Sequence, residues 1–429
     1  MIDNVYDAII IGAGAAGLVA AWELSSAGKK VCVVEAQDRI GGRIHTVNDP
    51  SFQTPVEMGA EFVHGDLPFT KHWLKKAGLK AYTVKGDVWR KENHSFEKQE
   101  DFIEDYSALE KKFKELNEDI PVAQFINEHL QDENWHDLRF SLKSYVEGYY
   151  AADADKASTY ALCKELTQPD EEQFRIDKGY GPLLEYIKTE CIKNGCFFML
   201  SSPVHSVQWR KGEVKLQVAG KEITGSKLLT TASIGILRSG TIQFSPALNE
   251  KQEALKHLGF GSVIKFIFQF SDIFWRDKQF TQNKDLSDVG FLFTEESVPT
   301  WWTHYPKKEA VLTGWLAGPR AERLASHTDE ELLQTATASL SSIFNMDAVH
   351  LQQRIVAAHV ANWLNQKYVG GGYSYEVVNG ANHQQTLKTP EEDTLYFAGE
   401  GLIEGPQIGT VEAAFQSGQE TARLMISHY

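Results

Sequence analysis

The chain has 429 residues, 42% apolar and 24% charged, enough for an ample core and too many for one hydrophobic core of ordinary size, so two lobes are expected. Lys plus Arg number 43 and Asp plus Glu 58, a formal charge of −15 that disfavours a nucleic-acid backbone as partner. Cys32, Cys163, Cys191 and Cys196 form no CxxC pair, the start lacks a basic leader, and no long apolar run exists, so a reduced, cytoplasmic setting without a membrane span is expected.

Residues 6–11 are a short apolar run of buried-strand type, and 18–27 read as a helix closed by Gly28. Residues 31–35 are a second buried strand, completing one βαβ unit. From about 95 to 170, charged and apolar residues mix at helical spacing, and helices outside the first sheet are expected. Strands return over 204–231 and 262–270, and 288–317, rich in Trp and Phe, adds more. Residues 394–400 form a buried strand ending in glycine, and 410–426 the last helix. There is no repeat, linker or low-complexity tract, so the lobes are expected to interleave: 1–77, 192–252 and 367–429 in one, 78–191 and 253–366 in the other.

Gly12-Ala-Gly14-Ala15-Ala16-Gly17 lies between the first strand and first helix, and Glu35 ends the next strand 18 residues after Gly17, followed by Ala36. In that setting the first glycine permits a tight turn, the second lets backbone approach a pyrophosphate, and the third lets helix and strand pack closely. The helix N-terminus then faces phosphate with free N–H groups, and Glu35 accepts from a ribose. Next come Arg39-Ile40-Gly41-Gly42-Arg43, a second glycine approach with a cation for phosphate.

Together these two motifs resemble the flavoprotein superfamily that contains the amine oxidases, which implies FAD. Three further segments carry the resemblance. Glu57-Met58-Gly59-Ala60-Glu61-Phe62-Val63-His64-Gly65 is similar to the segment that passes beside the flavin in polyamine and monoamine oxidases. Gly261-Ser-Val-Ile-Lys265, leading to Phe274-Trp275-Arg276, resembles the strand whose lysine holds a water at the flavin N5. A lone inward lysine is costly without a partner, and the competing reading puts Lys265 on an exposed strand face. Trp363 to Tyr373, then Gly399-Glu400 and Gly409-Thr410-Val411, resemble the parts that line the isoalloxazine, with Tyr373 flanking the substrate amine. The resemblance also assigns Val204 to the cofactor. It implies an α/β fold: a Rossmann-like FAD-binding lobe interleaved with a substrate lobe of mixed sheet plus helices.

The chain departs from the mitochondrial monoamine oxidases at two positions. Gly372 stands where those carry the cysteine bonded to flavin, so FAD is expected to be non-covalent. Thr410 stands where those place a second cage tyrosine, so only Tyr373 carries over.

On the substrate side, His64 resembles a histidine presented to substrate in polyamine oxidases, a loop cap being its alternative. Trp301, Trp302, His304 and Tyr305 either wall a pocket or pack a core. Glu61, Asp66 and Glu147 are candidates for a distal ammonium, or solvated carboxylates. No histidine pair has metal spacing. The expected reaction is oxidation of a primary or secondary amine to an imine, with O2 reduced to H2O2, on Lys265, Tyr373, Thr410 and His64. The expected partners are a small-molecule amine and O2, without nucleic acid or membrane, and a homodimer is left open. An L-amino-acid oxidase would need Arg90, Arg139, Arg175 or Arg320 placed to grip a carboxylate. Lys265 and the Gly-Gly-Tyr373 segment argue against a desaturase or porphyrinogen oxidase. A flavoprotein scaffold without turnover is the non-enzymatic alternative.

Overall fold

The computed structural model describes residues 5–65, 67–92, 95–99, 106–167 and 172–429. Its first sheet forms around Val5–Ile11, where Ala8, Ile9 and Ile10 are fully buried. Both faces are covered, which explains a continuous apolar run where a half-exposed strand would alternate. Parallel neighbours are Val31–Val34 and Lys221–Thr230, with Ile9 opposite Cys32 and Leu228. Phe197–Met199 extends the sheet beyond the first, and Leu395–Phe397 lies parallel to the second. An antiparallel ribbon, Ser206–Arg210 and Glu213–Val218, continues from Lys221–Thr230. The sheet therefore takes strands from the beginning, middle and end of the chain. The helices Ala15–Ser26, Gly181–Lys193 and Val411–Ser427 share one apolar cluster with one face of the sheet.

A second sheet runs in the order Ile355–Asn362, Val263–Phe270, Val311–Ala317, Thr300–Thr303, Val289–Thr294, Asp87–Glu92, Ser95–Gln99. Every residue of Val263–Phe270 is buried, so this strand has no exposed face for Lys265 to occupy. A small sheet of Phe62–His64, Gln173–Ile176 and Ala81–Thr83 lies at the site. Tyr106–Phe113, Val122–His129, His136–Ser144 and Thr159–Leu166 are helices around Phe113, Phe125, Leu138 and Leu142. Tyr145–Tyr149 is a turn of π-helix, a form that often marks functional positions.

Three expectations need correction. Ser95–Gln99 is an edge strand, not the start of the helical region. Only Phe96 reaches the core there, while Glu97 and Lys98 carry the charge typical of an exposed edge, which blurs the alternation. Val204 precedes its strand, which begins at Ser206. The first helix starts at Ala15, inside the glycine motif, because the loop itself supplies its N-terminus.

Candidate active site

One cavity of about 1920 Å³ runs from the glycine loop to the second sheet. At its first end, Gly12 has φ of 103°, a left-handed conformation, and a Cβ on Gly17 would lie 2.1 Å from Gly12 O. Strand end and helix therefore approach only because both residues lack side chains. Gly14 is the N-cap of Ala15–Ser26 and has no side-chain capping bond. Gly14, Ala15 and Ala16 line the cavity, so the positive end of the helix opens onto it. Glu35 is buried, and its two oxygens accept from Ala13 N and Gln37 N at 2.8 Å each. Arg39 ties the second glycine loop by donating to the carbonyls of Ile40, Gly42 and Ile44. An uncapped helix N-terminus, a strand-to-helix approach that only glycine allows and an oriented carboxylate together fit FAD.

Arg43 takes a partner that its sequence context did not suggest. It pairs with Glu400 and donates to Gly372 O at 2.9 Å, which joins the second glycine loop to two C-terminal segments. Ala36, Gly42, Gly59, Ala60, Val204, Trp363, Gly399, Gly409 and Val411 also line the cavity. Gly17 and Met58 do not. Gly17 serves the close approach just described, and Met58 presents its carbonyl to Trp363 Nε1 at 3.0 Å. A Cβ on Gly59 would lie 1.8 Å from Arg43 O, so this strand end and loop also depend on a missing side chain. Thr410 caps the last helix: its Oγ1 accepts from Ala413 N at 3.1 Å and donates to Gln407 O at 2.6 Å.

At the other end, Lys265 is 1% exposed. Its Nζ lies 2.7 Å from Glu61 Oε2 and 3.2 Å from Gly59 O. Arg175 Nε lies 2.8 Å from the other Glu61 oxygen, and Trp302 Nε1 donates to the same carboxylate at 3.2 Å. Burial alone would raise the Glu61 carboxyl, but the Lys265 and Arg175 charges outweigh it and hold its pKa at about 2. Glu61 is thus occupied within the protein, which corrects its reading as an anchor for a distal ammonium. The stability it confers is present above the ordinary carboxylate pKa and is lost as pH falls through about 2.

Tyr373 stacks on Trp315, with ring centroids 6.3 Å apart and planes at 22°, and its hydroxyl donates to Tyr149 O. Trp315 lies directly across the strand pair from Lys265, and its Nε1 donates to Gly148 O at 2.8 Å. The π turn therefore delivers Tyr149 to the site. His64 Nδ1 lies 3.5 Å from the Tyr149 hydroxyl, and burial pushes the imidazole down to about 4, so it is neutral at pH 7.

The aromatic run 300–305 divides by strand alternation. Trp302 lines the cavity, whereas Trp301 is fully buried in the core and donates to Val298 O. His304 does not line it either and pairs with Glu309 at 2.6 Å. Glu147 lines the cavity, and Asp66 lies outside the described residues. Of the arginines, Arg90 and Arg320 line the cavity. Arg139 is spent on the carbonyls of Leu130 and Asp132, and Arg175 on Glu61.

Sequence reasoning missed Trp315, Tyr149 and Glu165, and it offered Arg175 only as a grip for a substrate carboxylate, not as a partner of Glu61. Trp315 had a usable signal, an aromatic residue on a strand with the right composition to neighbour Lys265. Glu165 had none. Its Oε2 is buried with no partner among the described residues, and burial raises its carboxyl while the Tyr150 and Tyr145 hydroxyls bond it.

A Cβ on Gly372 would lie 2.6 Å from Val263 Cγ2, so a thiol here would have to displace the Val263 side chain. Acid precipitation is accordingly expected to leave all the flavin in the supernatant as intact FAD. Flavin retained by the precipitated chain would refute a non-covalent site.

The profile described as flavin containing amine oxidoreductase matches residues 15–426. Polyamine oxidase 3 of Oryza sativa subsp. japonica is 29% identical over 443 residues, covering 96% of this chain and 87% of that protein. Lysine-specific histone demethylase 2 of Homo sapiens is 27% identical and covers 96% of this chain but 52% of that protein. Two solved structures share the fold. Putrescine oxidase bound to putrescine has a TM-score of 0.81 at 19% identity over 99% of each chain. Cyclohexylamine oxidase from Brevibacterium oxydans IH-35A has 0.80 at 21%, over 98% of this chain and 99% of its own. The chain belongs to the flavin-containing amine oxidoreductase family, and it is an FAD-dependent enzyme that oxidises the CH–NH group of an amine.

Proposed function

We propose that the substrate is a primary or secondary amine without an α-carboxylate, with di- and polyamines favoured, and that O2 is the final acceptor. The observation that carries this is the convergence of Lys265, Tyr373, Trp315, Tyr149 and neutral His64 on the cavity that begins at the glycine loop. Bound FAD supplies the two-electron acceptor for a hydride from the carbon beside the amine nitrogen. The flat Tyr373–Trp315 stack orients that carbon and excludes water from it. His64 has no charge to repel an ammonium, and it offers a hydrogen-bonding nitrogen beside Tyr149. The imine product takes up water to give an aldehyde and a shorter amine or ammonia. O2 takes two electrons and two protons to become H2O2, and the Lys265 ammonium stabilises the negative charge that develops first.

Glu147 on the cavity wall supports the lean towards a second, distal ammonium, as does kinship with a polyamine oxidase. The lobes are assigned to 1–77, 192–252 and 367–429 for FAD and 78–191 and 253–366 for substrate, supported by the two sheets drawing strands from those segments, except that the helix Gly181–Lys193 packs on the FAD sheet and belongs with that lobe. A cytoplasmic location and small-molecule partners alone are supported by the charge of −15 and four free cysteines. No described helix is long and apolar enough to cross a membrane.

The test is peroxide release from putrescine, spermidine, spermine, benzylamine, phenethylamine and L-amino acids, compared as kcat/KM. Diamines or polyamines should lead, with kcat/KM rising with pH because an amine of pKa near 10 reacts unprotonated. A lead of about tenfold for L-amino acids, worth about 1.4 kcal/mol, would move the assignment to Arg90 and Arg320 as carboxylate grips. A lead for benzylamine would remove only the polyamine preference.

A further inference from the structure

Three charged side chains are buried together where the cavity meets the second sheet. Lys265, Glu61 and Arg175 have side chains 1%, 7% and 5% exposed. Two cations share one anion, so one positive charge is left over. Lys265 and Glu61 line the cavity and Arg175 does not. Arg175 is held from behind: its Nη1 donates to Thr303 O at 3.0 Å, and its guanidinium lies 4.6 Å over the Phe62 ring. Phe62 and Arg175 face each other across the small sheet, so the arrangement is built into backbone register. Buried ion pairs add little stability over well-packed apolar residues of the same volume, so stability alone gives no reason to bury three charges at a cavity wall.

We propose that Glu61 and Arg175 are positioning residues for Lys265. Glu61 holds the ammonium charged and in place, while Arg175 fixes Glu61 and restores the positive charge that Glu61 would cancel. This rests on the reading of Lys265 as the group that promotes reaction with O2. The other titratable groups around the cluster are Glu57, whose carboxyl burial raises to about 7, Tyr82, and the His304–Glu309 pair, with His304 Nε2 4.0 Å from Glu61.

The test uses the FAD-loaded enzyme and two readouts between about pH 6 and about pH 10: the rate at which reduced enzyme reacts with O2, and the visible spectrum of the oxidised enzyme. Wild type should be flat in both above about pH 8, once Glu57 has lost its proton. Glu61→Gln leaves two buried cations around a neutral amide, which favours the neutral form of Lys265 as pH rises. Its rate should match wild type near pH 6, fall about tenfold or more by about pH 9 towards that of Lys265→Met, and track a spectral change of the same midpoint. Glu61→Asp should restore the flat profile. Arg175→Met should lower the rate about threefold at every pH, and Arg175→Lys should recover it. A Glu61→Gln enzyme with a flat profile, whether at full rate or uniformly slowed, would overturn the proposal. If Glu61→Gln does not fold, an Arg175→Met enzyme at the wild-type rate, or a loss that Arg175→Lys does not rescue, would overturn it instead. Lys265→Met reacting with O2 at the wild-type rate would overturn the underlying reading of Lys265.

Discussion

Lys265→Met is expected to slow the reaction of the reduced enzyme with O2 by about a hundredfold or more, with little change in flavin content. The first electron to O2 creates negative charge, and a fixed ammonium on a buried strand stabilises it far more than it would in bulk solvent. The substitution should leave a folded protein. Methionine follows the lysine stem in a fully buried strand, and Glu61 keeps Arg175 as its counter-ion at 2.8 Å. Removing one partner of a buried pair ordinarily costs about 3–5 kcal/mol, and the remaining cation should hold the loss below that. Stopped-flow mixing of reduced enzyme with O2 measures the effect, and flavin absorbance per chain supplies the control. Reduction by amine under anaerobic conditions should be affected much less, which separates a role in the oxygen step from general damage.

Gly17→Val should abolish flavin binding and destabilise the protein by more than about 3 kcal/mol. The new Cβ would stand 2.1 Å from the backbone oxygen of Gly12, and the Thr231 hydroxyl lies 3.0 Å away on its side chain, so the strand end itself must move. Opening that contact moves the N-terminus of Ala15–Ser26 away from the cavity, which removes the phosphate seat as well as the packing. Gly212→Ala is the matched control. Its φ of 74° imposes about 1 kcal/mol of left-handed strain, but its Cβ meets nothing within 4 Å. Purified Gly17→Val should be colourless with a lowered Tm, whereas Gly212→Ala should be yellow. A yellow Gly17→Val enzyme would mean that the helix N-terminus does not seat the cofactor.

The site was legible in proportion to how local its determinants are. The glycine loop, the helix it opens and Glu35 lie within thirty residues, and each answers a requirement of backbone geometry, so reading the chain in order suffices. Lys265 was legible as an anomaly, a charge in a strand of buried composition. Its partners were not, because Glu61 lies 204 residues away and nothing near it marks Arg175 as the other claimant. The same holds for Arg43, whose pairing with Glu400 spans 357 residues.

By itself, the sequence determined the dinucleotide loop, the buried strands and the family resemblance, because turn, helix start and strand burial are set by neighbouring residues. Only the tertiary structure decided which charges meet. It spent Glu61 on Lys265 and Arg175, sent Trp302 to the cavity and Trp301 to the core, and brought Tyr149 to Tyr373 on a turn of π-helix. The physical reason is that a buried charge must find its counter-charge wherever register and packing bring one, and register between distant strands is a property of the whole fold.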